Sequence, residues 1–164
     1  LGLPEPEKLK LADVTPSPAL SQVGKTWPID GRQVGILVTD KLASEQIDQV
    51  EALTKAIEKA GMVPLVTSTS GGTLGADLPV SRTYVTVRSV EFDAAVVVAT
   101  PDSPEVNVLL SEMVRHGKAL AIVDGADLGA LENITDTAGV VTVRTPEDAL
   151  TELTPLLEGH RVWA

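Results

Sequence analysis

Five short apolar runs recur along this chain, and the segments between them carry a different period. The runs are VGILV (Val34 to Val38), MVPLVT (Met62 to Thr67), AAVVVA (Ala94 to Ala99), ALAIVD (Ala119 to Asp124) and VVTV (Val140 to Val143). They are continuous rather than alternating, the mark of strands covered on both faces. Pro64 lacks an N–H and pushes the second run toward a sheet edge. A sheet buried on both faces needs helices above and below it. Ser44 reads as an N-cap with Glu45 in the first turn, Ile47, Val50, Leu53 and Ile57 form a stripe, and Gly61 stands at C′. Ser103, Pro104 and Glu105 open a second helix with Val106, Leu109, Leu110, Met113 and Val114 as its apolar face, ended by Gly117. A short helix is expected around 126–132. Thr145, Pro146 and Asp148 open a last one, running to about Glu158, with Asp in the capping-box position.

Strands alternating with helices define an α/β domain. The expected fold is flavodoxin-like and doubly wound, a mainly parallel sheet with helices on both faces. Residues 68–90 interrupt the alternation. Glycines at 71, 72 and 75, then alternation through Tyr84, Val85, Thr86 and Val87, read as a loop and a small hairpin, with Tyr84 in a strand.

The first thirty residues differ from the rest. They hold Pro4, Pro6, Pro16, Pro18 and Pro28, which favour extended backbone. Residues 1–30 are therefore read as a linker or wrapping arm, docked through Leu9, Leu11, Val14, Leu20 and Trp27, and residues 31–164 as the compact domain. Trp27 and Trp163 read as anchors for the two ends, or as contacts to a neighbouring domain or subunit.

Composition removes several classes of function. Hydrophobic residues make up 43% of the 164 but aromatics only 2%, so the core is aliphatic. A net charge of −10 disfavours nucleic acid and anionic membrane surfaces as partners. The absence of cysteine removes disulfides, thiolate metal sites and cysteine nucleophiles. No apolar run approaches the roughly 20 residues that span a bilayer. No basic segment precedes an apolar one at Leu1, so no signal peptide is read, and a cytoplasmic location is expected. Beginning without Met, the chain reads as a piece of something longer.

In doubly wound sheets ligands bind beyond the strand C-termini. Asp40, Thr100 and Asp124 follow three of the apolar runs there. One reading is a small-molecule or divalent-cation site, with Asp40 and Asp124 as weak metal candidates, or an acid–base pair. The simpler reading is that acidic residues after strands cap the next turn. No phosphate loop or G-x-S-x-G elbow occurs. His116 and His160 read as helix-end or surface residues. Nothing around Tyr84 suggests an axial haem ligand, and no cofactor is expected in this chain.

The segments LGLPEPE, TPSPALSQV, WPIDGRQVGILVTD, RSVEFDAAVVVA and GHRVWA together resemble the C-terminal region of large-subunit haem catalases. The resemblance covers nearly the whole chain. It implies a catalase core, absent here, that carries haem and breaks down hydrogen peroxide. Residues 1–30 would be the tail of that core and its connecting arm. The appended domain would resemble the PfpI-type, class I glutamine amidotransferase-like superfamily. That superfamily keeps a nucleophile in a frame of the type A-I-C-H-G. Ala121, Ile122, Val123, Asp124 and Gly125 match the frame, with Val123 in place of cysteine and Asp124 in place of histidine. The acidic partner would fall near Ala43 or Ser44, neither acidic, or at a shifted Glu45. The resemblance thus implies a disarmed elbow and a non-catalytic accessory domain that contributes stability, assembly and a chaperone-like activity. Its implied partners are the catalase core, neighbouring subunits of a homotetramer and unfolded client proteins.

Overall fold

A computed structural model describes residues 17–21, 24–101, 103–126, 128 and 134–162. The central sheet is built from β1 (Gln33–Leu37), β2 (Val63–Ser68), β5 (Arg82–Thr83), β6 (Ala94–Val97), β7 (Ala119–Val123) and β8 (Val140–Val143). Its order is β5-β2-β1-β6-β7-β8, and every pairing is parallel. Without the two-residue β5 this is the 2-1-3-4-5 order of the flavodoxin-like class. β5 pairs with β2 only from Thr67 onward. At Pro64 the outer side of β2 therefore has no strand neighbour, which is where a proline is tolerated.

Helix α1 (Ser44–Lys59) and helix α3 (Pro146–Glu158) cover one face, and α2 (Pro104–Arg115) covers the other. Alternation along β1 explains the split. Val34 and Ile36 pack with Val50, Leu53, Ile57, Leu153 and Leu157, whereas Leu37 packs with Leu109, Leu110 and Met113. Gly35 also points to the second face. A Cβ there would come within 3.1–3.2 Å of the ring of Phe92, the largest fully buried side chain. Glycine in mid-strand thus marks a close approach and not a weak strand.

Two helix starts form as their sequences dictate. Ser103 Oγ accepts from Val106 N at 3.3 Å, with Pro104 at N1. The Asp148 carboxylate accepts from Thr145 N at 3.2 Å and from Thr145 Oγ1 at 3.0 Å. The first helix differs by one residue. Ala43, with extended backbone, is its N-cap, Ser44 is already helical, and Gln46 Oε1 accepts from Ala43 N at 3.1 Å.

The excursion also differs from expectation. Its hairpin is β3 (Thr73–Leu74) against β4 (Leu78–Pro79). Residues 84–87 form a turn, with Thr86 N and Val87 N donating to Thr83 O. Tyr84 and Val87 are buried while Val85 and Thr86 are exposed, a turn's spacing of three. The helix expected around 126–132 falls largely outside the described residues, as do Leu9, Leu11, Val14 and Trp163.

Candidate functional site

From β1 the chain moves to β2 on one side and to β6 on the other, so the switch point lies between β1 and β6. The strand C-termini there carry Asp40, Thr100 and Asp124. Asp40 Oδ1 accepts from Ser70 N at 3.0 Å. This backbone N–H is the main cause holding the Asp40 carboxyl below its usual range. Ser70 follows β2, on the side of β1 away from β6 and β7. The carboxylate is therefore turned away from Asp124, which is exposed after β7 and donates its N–H to Val143 O at 2.8 Å. Thr100 is half-buried beyond β6. Among the described residues no group of three or more His, Asp or Glu is placed to hold a metal ion.

Tyr84 Oη donates to Val38 O at 2.8 Å, and Tyr84 is 3% exposed. Burial, before any other cause, pushes its phenol above the usual range. Tyr84 is thus a satisfied core residue, its hydroxyl bonded just past the end of β1.

Val123 ends β7 and packs into the face shared with Val143 and Leu153. The chain turns directly after it, Ala126 N donating to Val123 O at 2.9 Å, with Gly125 at φ 81°. Position 123 keeps strand backbone, and the left-handed conformation falls two residues later on a glycine.

The opposite end of the sheet is more polar. Arg32 and Asp93 each precede a strand, β1 and β6, and these strands are neighbours. Arg32 bridges to Asp93 Oδ1 at 3.3 Å and donates to His160 Nδ1 at 2.8 Å, while Asp93 Oδ2 accepts from Gln33 N at 3.0 Å. His160 sits just beyond α3 at φ 67°, with the Trp27 ring 6.5 Å away. Trp27 N donates to Glu158 O, so the incoming segment is pinned to the end of α3. Burial first, then Arg161 and Arg32, hold the His160 ring below its usual range. His116 is the C-cap of α2, and its Nδ1 lies 3.0 Å from Ser89 Oγ. Lys118 is buried, its Nζ bonded to Ser89 O and Phe92 O. Sequence reading missed this network. The available signal was that residues immediately before adjacent parallel strands become neighbours.

The pattern of a family described as the C-terminal domain found in long catalases matches residues 30–164. The chain belongs to this family. Catalase HPII of Mycobacterium avium is 31% identical over 197 aligned residues, covering 99% of this chain and 27% of that protein. The chain therefore spans about a quarter of that relative's length. In this catalase C-terminal domain, among the described residues, no helix is long and apolar enough to cross a membrane.

Proposed function

We propose that this catalase C-terminal domain is a non-catalytic accessory unit of a long catalase, whose separate core binds haem and decomposes hydrogen peroxide. Its role is to stabilise the homotetramer and its assembly in the cytoplasm. The observation that carries this reading is the state of the switch point. The Tyr84 hydroxyl is bonded to Val38 O, the Asp40 carboxylate accepts from Ser70 N, and the position that the resemblance assigns to a nucleophile holds the buried Val123. A valine side chain at that position cannot attack a carbonyl. The alternative of a metal or small molecule held by Asp40, Thr100 and Asp124 has less support, because Asp40 faces away from Asp124.

Contact with a core or a neighbouring subunit draws support from the α2 side. Val85, Val90 and Val108 are 68%, 80% and 50% exposed, and a groove of about 180 Å³ runs between Val87–Arg88 and the first turn of α2. Assembly would bury these side chains and the groove beside them. The test is the long catalase with and without residues 30–164. Peroxide turnover per haem is expected to stay within about twofold while the tetramer dissociates at lower temperature, a loss of the linkage that assembly contributes. Loss of turnover per haem in a tetramer of unchanged stability would overturn the proposal.

A further inference from the structure

At the strand N-termini, away from the switch point, an open groove of about 450 Å³ is lined by Val90, His116, Lys118 and Arg161. Among the described residues no carboxylate lines it, in a chain of net charge −10. The nearby acid, Asp93, is already committed to Arg32 and to Gln33 N. Lys118 Nζ spends two of its three N–H donors on Ser89 O and Phe92 O, which fixes its position and leaves one donor over. Arg161 spends one on His160 O. Arg161 is itself held in place, because Val162 N donates to Gly117 O at 2.7 Å, one residue before Lys118. If the Ser89 hydroxyl donates to His116 Nδ1, the ring carries its proton on Nε2.

Helix ends alone do not account for this arrangement. Both α2 and α3 terminate here, and each C-terminus offers roughly half a negative charge. Two full cations exceed that sum, and the sequence keeps them side by side. The Lys118 ammonium is held below its usual range by burial first and then by the Arg161 guanidinium. This repulsion is what a bound oxyanion relieves. A planar fork, a fixed ammonium and an imidazole lining one groove are a donor set suited to a tetrahedral oxyanion.

We propose that the Lys118–Arg161–His116 groove binds a phosphate group, that of a small phosphorylated molecule or free phosphate. The probe is inorganic phosphate, titrated calorimetrically into the full chain at low ionic strength, with glycerol phosphate as a second arm and chloride at matched ionic strength as reference. Saturable binding at one site per chain is expected. The tighter of the two arms identifies free phosphate or an ester as the preferred source. R161Q, at a half-buried position outside the core, is expected to keep the fold and to weaken binding at least about tenfold, the loss of one charge-assisted contact. H116Q tests the third donor and is expected to weaken binding by a smaller factor. R144Q, an exposed arginine elsewhere, is expected to leave binding unchanged. Failure of both probes to saturate, equal weakening by R144Q and R161Q, or unchanged binding in folded R161Q would each overturn the proposal.

Discussion

The two ends of the sheet are built on opposite plans. At the strand C-termini the chain uses separate single bonds, Tyr84 Oη donating to Val38 O and Ser70 N donating to Asp40. At the strand N-termini, groups distant in sequence are knotted together, Arg32 joining Asp93 and His160 across 61 and 128 residues. Among the described residues, the end at which this strand order usually holds a ligand thus carries isolated bonds, and the connected polar network lies at the other. A shared fold therefore transmits the position of a crevice without its chemistry.

The largest effect should come from the N-terminal end. Lys118→Met removes the donor shared by two carbonyls, beneath a buried strand start. A loss of about 2–3 kcal/mol in denaturant unfolding is expected, since each stranded buried group costs about 1–3 kcal/mol. A loss under about 0.5 kcal/mol would put the two ends on an equal footing. Tyr84→Phe, at the strand C-termini, removes one hydroxyl bonded to one carbonyl. About 1 kcal/mol is expected in the same measurement. A loss above that of Lys118→Met would invert the contrast.

The third effect is a pH dependence. The folded pKa of His160 lies below the unfolded value of about 6.5, because of burial and the adjoining guanidinium groups. Stability is then full above about pH 6.5 and falls as the pH drops through that value toward the folded pKa, because the unfolded chain takes up the proton first. His160→Asn, which tolerates the positive φ, should flatten the decline in melting temperature between about pH 6.5 and 5. A slope unchanged in the variant would remove His160 from the account. The smallest effect is that of Asp40→Asn. Its carboxylate is exposed, and less than about 0.5 kcal/mol is expected at neutral pH. Because the folded pKa of Asp40 is lowered, its contribution is present above about pH 3.9 and is lost as the pH falls through the folded value.

Most of the sheet was legible because burial on both faces leaves an uninterrupted apolar run, as at Ala94–Val97 and Ala119–Val123. The caps at Ser103 and Thr145 were legible because they are settled within four residues. The strands β3, β4 and β5 were not, since two residues carry no period and exist only by pairing. Tyr84 was misplaced in a strand for a related reason. Alternating Tyr, Val, Thr and Val looks like a strand, but the Tyr84 hydroxyl must reach Val38 O, 46 residues earlier. At the candidate site, the positions of Asp40, Thr100 and Asp124 after strands were readable. The direction of the Asp40 carboxylate was not, because Ser70 comes from a loop with no sequence signal of its partner. His116 was read as a helix-end residue, and it is the α2 C-cap. Its contact with Ser89 was hidden by 27 residues of separation.

The pinning of Trp27 to Glu158 has a mechanical consequence. The incoming segment is fastened by a few separate bonds: Trp27 N to Glu158 O, Gly31 N to Gly61 O, and the Arg32 side chain to its partners. Behind them lies β1, laddered on one side to β2 and on the other to β6. A tensile load applied through residue 27 peels the fastenings one at a time. The same load on β1 acts lengthwise, and all of its ladder bonds resist together. The clasp is therefore a fuse. It yields under a tug that the sheet withstands.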